Sequence, residues 1–505
     1  MTNLLRGLRG ASLNRAAIWL TVGPAFFCFG YNQAVAGGLL TLDSFVNTFP
    51  QMDTVNTVGH TKIMNSKIQG TVISLYTVGA IFGALSCVQL GDILGRRKVI
   101  FISTVLSMVG AILMATSFSL GQFIVARIVL GFGTGGYTAT IPVWQSEIST
   151  SKNRGAHVVA EGIFVGFGIT AAFWIDLGFY FIDKSSVSWR FPLAVQVILS
   201  LIVLGFIFSL PESPHWLIKK DRIEEARQVI SLLAEKPDPD IVSHRVVQIQ
   251  ESLAVSGTSS LRDLFKMGQQ RVFHRVVIGC TVQMFLQMCG ISLITFYATT
   301  IFEQDLGFSP TRSRILSASM ELCQPIGGGI AVFTIDRYGR RPLMLWSATA
   351  MMICMIALAG LTSDPSNTNN LIGATVFLFI FNLVFPIGFL GLPFLYTAEV
   401  APLNLRATVS GLATATNWLF GFLVTQVTPL GFSTIQNRYY IIYAVINFLI
   451  IPTVYFCFPE TKGRTLQEID SIFIQSGNIF DPPRIARVIH SEEVQEDTGS
   501  WEKGK

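Results

Sequence analysis

Twelve runs of about twenty apolar residues, each bounded by charge or a turn, leave this chain few ways to fold. They lie near 18–40, 69–90, 99–118, 121–143, 157–180, 189–210, 275–298, 313–335, 343–361, 371–396, 406–428 and 437–458. Each is long enough for an α-helix to cross a hydrocarbon core of about 30 Å. Composition points the same way. Of 505 residues, 50% are hydrophobic and 13% charged, where a soluble chain carries roughly 25% charged residues to cover its surface. The mean hydropathy is +0.53. A soluble enzyme with one core is excluded, and so is a disordered or a disulfide-stapled secreted chain.

The net charge of +5 is no nucleic-acid footprint. Basic residues gather in short clusters between the runs, which suits an anionic inner leaflet, and no nucleic-acid partner is expected. Arg96, Arg97, Lys98, Lys152, Arg154, Arg337, Arg340, Arg341 and Arg406 fall on one side of the predicted topology. The opposite side is poorer in basic residues, so the positive-inside rule places both termini in the cytoplasm. The first run follows Arg6, Arg9 and Arg15 but is too long for a signal-peptide core and has no small-residue cleavage site; it reads as an uncleaved helix. The seven cysteines all fall inside apolar runs and imply neither a disulfide framework nor a metal site. The expected organisation is a cytoplasmic N-terminus (1–17), a six-helix bundle (18–210), a linker (211–274), a second six-helix bundle (275–458) and a cytoplasmic tail (459–505). Residues 221–233 repeat apolar positions at helical spacing, which predicts amphipathic helices in the linker.

Three motifs recur at nearly one offset. Asp92 to Arg97 (D-I-L-G-R-R) returns as Asp336 to Arg341 (D-R-Y-G-R-R), 244 positions on. Pro142, Glu147 and Arg154 return as Pro393, Glu399 and Arg406, with seven positions from Glu to Arg in both cases. Pro211-Glu212-Ser213 returns as Pro459-Glu460-Thr461 at offset 248. Coincidences would not agree on one offset, so the halves are expected to be homologous bundles, an architecture associated with transporters that rock around a central site. Asp92, Arg96, Arg97, Glu147, Arg154 and Glu212, with Asp336, Arg340, Arg341, Glu399, Arg406 and Glu460, are the expected cytoplasmic gate. Their pairing would lock that side when the halves meet, and exposed pairs are weak enough singly to let it open.

Pro211-Glu212-Ser213-Pro214-His215-Trp216-Leu217 and Pro459-Glu460-Thr461-Lys462-Gly463-Arg464-Thr465 resemble the signatures of the sugar porter family of the major facilitator superfamily. The resemblance extends over about 18–475, with His215 in place of the usual Arg. Thr140 to Glu147, Asn153-Arg154-Gly155 and Trp174-Ile175-Asp176 are similar to a fungal branch that contains a glycerol–proton symporter and sugar and sugar-acid carriers. The implied fold is all-α and polytopic, a major facilitator fold of twelve transmembrane helices in two homologous six-helix bundles joined by a cytoplasmic helical linker. The implied ligand contacts are Gln283, Gln287, Ser292, Gln324, Phe394, Asn417 and Trp418. Polar side chains inside a span are costly unless used, and a polyol or sugar needs hydrogen-bonding groups plus an aromatic face. At the family's Gln position in the fifth span stands Gly162, preceded by Glu161.

Coupling turns on Asn32. Proton-coupled members carry Asp there, released by protonation from an Arg that here matches Arg127; an amide cannot titrate. The expected function is therefore facilitative transport of a sugar, polyol or sugar acid by alternating access, in the plasma membrane. The alternative is proton symport through a relocated carboxylate, Glu321 or Glu161, with protons as second partner. Glu321 lies about 15 residues from Asp336, roughly 22 Å deep at 1.5 Å per residue. Asp176, near the outer end of its helix, reads as a solvated or tethering residue. A nutrient sensor with this fold is the rival of another class. No cofactor is expected and no enzymatic role: nucleophile–base pairings are absent, as is a phosphate-binding G-x-x-x-x-G-K-[ST]. Gly131 to Gly136 lie within an apolar helix and read as a packing surface.

Overall fold

The computed structural model describes residues 7–149, 154–182, 185–234, 238–256, 264–364, 367–402, 405–464 and 466–488. Within them the chain is helical throughout. Ten stretches are long and apolar enough to cross a membrane, and one of these, Thr408–Cys457, contains two helices. The first span adds the last: Gly10–Ala17, a π turn at Ile18–Val22, then Gly23–Leu39. The described residues thus form twelve spans, as expected.

The first bundle continues with Gly59–Leu94, Arg96–Ala115, Leu120–Ile148, Arg154–Tyr180 and Val187–Phe206. Short linker helices follow at Pro214–Lys219, Ile223–Leu233 and Pro239–Ser256. They bury a small apolar core of their own, in which Trp216, Leu217, Ala226 and Val246 meet. In the second bundle the seventh span is broken at Gly290 (Val272–Met288, Ile291–Thr300) and the eighth at Leu322 (Pro310–Glu321, Cys323–Tyr338). Arg340–Leu361 is the ninth span. The tenth is broken at Leu390–Gly391 (Thr368–Phe389, Leu392–Val400), and Arg406–Ile435 and Tyr439–Cys457 complete the bundle. A further helix, Leu466–Gln475, docks Ile469, Ile472 and Phe473 out of solvent, and its Asp470 pairs with Arg275 at 2.5 Å.

Several helices outrun their apolar windows. The second starts at Gly59, ten positions before the expected 69. Its polar extension has work to do: Asn65 donates to the Asp53 carbonyl (2.7 Å) and Gln69 to the Met52 carbonyl (3.3 Å), fastening the chain between the first two spans. The first span likewise begins at Gly10, where Asn14 exchanges hydrogen bonds with Ser149 and Gln145. Hydropathy marks the part of a helix that meets lipid, whereas packing decides where it ends.

Small residues set the spacing inside the bundles. A Cβ on Gly131 would lie 1.9 Å from the Tyr76 carbonyl oxygen, and one on Gly135 2.0 Å from that of Ala80, so the second and fourth spans touch backbone to backbone. Lipid tails offer helices no hydrophobic incentive to associate, and close approach of this kind supplies the van der Waals contact instead.

The halves meet chiefly where the second span lies along the eleventh and the fifth along the eighth. Gln426 bonds Thr71 (2.9 Å) and Ser74 (2.7 Å), Thr170 donates to the Glu321 carbonyl (2.8 Å), and Arg314 donates to the Gly38 carbonyl and Thr41. These lie at mid-span or towards the end opposite the D-x-x-G-R-R turns. Asp176 belongs to the same contact and corrects the expectation of a solvated residue. It is 2% exposed, its carboxylate covers Gly38, and neither oxygen has a hydrogen-bond partner.

Gly131→Ala should lower stability by about 1–3 kcal/mol by forcing the second and fourth spans apart. Gly178→Ala, where a Cβ meets nothing within 4 Å, should leave it unchanged or slightly raised. Thermal melting of the two purified variants against the parent chain checks this.

Candidate functional site

A cavity with about 560 Å³ of atom-free space lies between the halves at mid-span. The second half brings polar groups to it at the three breaks in its helices. Gly290, at φ +105, is a conformation that side-chain-bearing residues rarely adopt; Ile291 and Ser292 follow it into the wall. Gln324 stands just after the break at Leu322, and Gly391 is itself lining. Interrupted spans expose backbone, which is tolerated at membrane depth only where it lines a cavity or is buried in protein. The first half answers with Phe26 and Phe29 of the first span, and Glu161 and Gly162 of the fifth.

Five of the expected ligand contacts line this space: Gln287, Ser292, Gln324, Phe394 and Asn417. They form two hydrogen-bonded groups. Gln287 Nε2 donates to Asn417 Oδ1 at 3.0 Å, while its Oε1 accepts from the Ser292 hydroxyl. Gln324 Nε2 donates to Glu321 Oε2 (2.6 Å), to Asn382 Oδ1 (3.2 Å) and weakly to Thr295 Oγ1 (3.4 Å). Gln283 and Trp418 are not in the lining. Gln283 is buried one turn nearer the D-x-x-G-R-R end, its Oε1 unpartnered. Trp418 stands behind the wall, edge-on to Phe29 (5.3 Å between centroids) and to Tyr76 (5.7 Å).

Of the expected coupling residues, Glu161 lines the cavity and the other three do not. Asn32 is fully buried, and its Nδ2 donates to Cys28 Sγ at 3.7 Å. Arg127, also fully buried, donates to the Ile73 carbonyl and lies 5.0 Å from the Tyr76 ring centre. Among the described residues no carboxylate comes within ion-pairing distance of it. Glu321 touches the cavity only through Gln324. Gln33, Thr295 and Asn382 are the contributors that sequence reasoning passed over. Asn382 had a usable signal, a lone amide in the apolar tenth span; Gln33 and Thr295 had only their place beside residues already singled out.

The charged clusters at the ends of the halves are near copies. Arg96 bridges both Glu147 oxygens (3.2 Å each) and Asp92 (3.3 Å), and Glu212 accepts the backbone N–H groups of Arg96 (3.1 Å) and Arg97 (3.2 Å). Arg340 bridges Glu399 (2.9 and 3.3 Å) and Asp336 (3.1 Å), and Glu460 accepts from the backbones of Arg340 and Arg341 (3.0 Å each). The turn glycines Gly95 and Gly339 have φ +89 and +99, and a Cβ on either would run into the capping Glu. Burial pushes the Glu212 carboxyl above its usual range, against its backbone N–H donors and the nearby Arg97 and Arg96 charges. Each cluster closes within its own half, since none of these bonds crosses between bundles. Arg406 opens the eleventh span. Arg154 opens the fifth, and its side chain lies outside the described residues, as do Lys152 and Asn153.

The family model described as "Sugar (and other) transporter" matches residues 17–473. "Sugar transporter STL1" of Saccharomyces cerevisiae is 35% identical over 501 residues, covering 97% of this chain and 86% of that protein. "MFS-type transporter oryC" of Aspergillus oryzae is 36% identical over 496 residues, covering 95% and 90%. Among solved structures, the proton:xylose symporter XylE bound to 6-bromo-6-deoxy-D-glucose superposes with a TM-score of 0.78 at 23% identity, covering 92% of this chain and 100% of that one. The partially occluded inward-open form of XylE from E. coli gives 0.74 over 90% and 100%, at 21% identity. These likenesses establish the major facilitator fold.

Arg340→Ala strands two carboxylates that one guanidinium serves, and should cost about 3–5 kcal/mol. Arg337→Ala, at an exposed position, should change stability by less than about 0.5 kcal/mol. Thermal melting separates the two.

Proposed function

Because the chain belongs to the sugar transporter family of the major facilitator superfamily, we propose that it carries a sugar, polyol or sugar acid passively across the membrane by alternating access. It is an integral multi-pass membrane protein and a transporter rather than an enzyme. Substrate class, passivity and placement are the proposal. The ligand occupies the cavity between the halves, contacting Gln287, Ser292, Gln324, Phe394 and Asn417, with Gln283 and Trp418 supporting the wall from behind. The duplicated clusters around Arg96 and Arg340 hold each bundle rigid at its cytoplasmic end. The hydrogen bonds between halves, gathered at mid-span and the opposite end, are the ones that exchange when the bundles rock. The arginine-rich turns support a cytoplasmic position for that end and for both termini, in the plasma membrane.

The amide at position 32 carries the passive reading. Asn32 has no proton to exchange at physiological pH, and Arg127, its expected partner, is instead engaged by a carbonyl and an aromatic face. A second reading, proton symport, is favoured by one observation: Glu321, fully buried, is hydrogen-bonded to the cavity-lining Gln324. An ionised carboxylate at that depth costs several kcal/mol, so proton uptake there would be coupled to the state of the cavity.

Uptake into carrier-deficient cells, followed to steady state with and without an uncoupler, tests both. Labelled glycerol, pentoses, hexoses and galacturonate form the panel. Internal ligand is expected to level off at the outside concentration and to ignore the uncoupler. Accumulation that collapses with uncoupler would overturn the passive reading, and Glu321→Gln should then abolish accumulation while leaving exchange. Absence of transport for every compound, with protein present at the surface, would favour a sensor.

A further inference from the structure

The cavity holds a carboxyl group that no cation faces. Glu161 is 3% exposed, lines the cavity from the fifth span, and has one carboxylate oxygen without a hydrogen-bond partner. Among the described residues that line the cavity it is the one charged side chain, and no Arg or Lys faces it there. The buried cations nearby in the fold are spoken for. Arg127 is held by the Ile73 carbonyl and the Tyr76 ring, Arg314 by Gly38 and Thr41 at the far end.

The neighbouring position explains why a glutamate does this work. A Cβ on Gly162 would lie 3.1 Å from the Gly391 nitrogen and 3.2 Å from its Cα, so the fifth and tenth spans meet closely there and a side chain would press them apart by a few tenths of an ångström. The polar contact from the fifth span comes instead from the adjacent Glu161. Gln324 Oε1, also in the lining, is a second buried acceptor without a hydrogen-bond partner. The amide of Gln287 is already spent on Asn417 and Ser292. Glu161 and Gln324 thus present acceptors to a ligand, while Gln33 and the Asn417 amide nitrogen bring donors to the same space but no cation.

We propose that Glu161 is the specificity-determining residue of the central cavity, accepting hydrogen bonds from the hydroxyls of an uncharged sugar or polyol and excluding sugar acids. Hydroxyls bring the donors that the unpartnered oxygens lack. A sugar acid brings a carboxylate, which only accepts, beside a second carboxyl with no lining cation to offset it. Two such groups cannot both stay ionised at close range, and a buried unpaired charge is strongly unfavourable. Phe26, Phe29 and Phe394 offer the apolar faces that C–H surfaces of a neutral ligand would cover.

This inference rests on the transport reading above and narrows it. The test compares paired compounds, galactose with galacturonate and glucose with gluconate, together with pentoses and glycerol. Uptake by the full-length chain in carrier-deficient cells is measured beside the ligand-induced thermal shift of the purified protein. The wild-type chain is expected to transport at least one neutral compound, and to neither transport nor be stabilised by the acids. Glu161→Gln should raise the KM for the neutral ligand about tenfold, the loss of one hydrogen bond, with kcat little changed, and Glu161→Asp should recover part of that loss. Transport of galacturonate at a rate comparable to galactose, or an unchanged KM in Glu161→Gln, would overturn the inference while leaving the transport reading intact. Should Glu161→Gln not fold, the wild-type preference between paired compounds decides alone. No uptake and no thermal shift with any compound would remove the transport reading and this inference together.

Discussion

A bilayer interior gives helices no solvent reason to stick together, and the rest of this structure follows from how that is met. Association has to come from close shape-matching and from polar bonds that lipid cannot replace. The fourth span meets the first requirement with Gly131 and Gly135, which let the Tyr76 and Ala80 carbonyls come where side chains would otherwise stand. The second is met at the helix ends, where buried Arg96 and Arg340 each hold one covered Glu, one more exposed Asp and a capped turn in a single cluster. Packing along the length and charge at the end make each bundle a rigid body.

The surface between the bundles is uneven. The contacts of the fifth and eighth spans include a carbonyl freed at the break near Glu321, and the outer contact adds Arg314 over Gly38 with Asp176 packed beside it. The Arg96 and Arg340 clusters, by contrast, close within their own halves among the described residues. An interface whose polar bonds cluster away from one end is suited to parting there first. The two bundles are copies in sequence, yet they contribute differently to the cavity. The second is interrupted in three of its spans and supplies most of the amides, while the first supplies aromatic faces and one carboxylate. A symmetric frame thus encloses an asymmetric cavity.

Much of this was legible beforehand. The apolar windows counted the spans, and the repeated D-x-x-G-R-R, Glu-to-Arg and Pro-Glu spacings paired the halves. Five of seven expected ligand contacts line the cavity because their helix and register were given by the resemblance. Three residues stand elsewhere than their segments suggest. Gln283 shares a helical face with Gln287 but lies one turn below the cavity floor, and periodicity reports a face without reporting depth. Trp418, next to a lining residue, turns instead onto Phe29 and Tyr76. Asp176 resembled a solvated end residue, since sequence says where a helix meets water only if nothing from the other half covers it.

Local chemistry determined the membrane-spanning class, the number of helices, their pairing into two halves and the residues that close the turns, because each depends on hydropathy or on motifs read along one segment. Only the tertiary structure decided which polar groups are already satisfied by one another and which remain open. Gln287 and Glu161 are both polar residues inside apolar spans, and nothing in their own segments tells them apart. One is bonded to Asn417 and Ser292, residues up to 130 positions away, while the other keeps an oxygen without a donor. Hydrogen-bond satisfaction is a property of three-dimensional neighbours, and it is that property, more than residue type, which makes a cavity wall into a binding site.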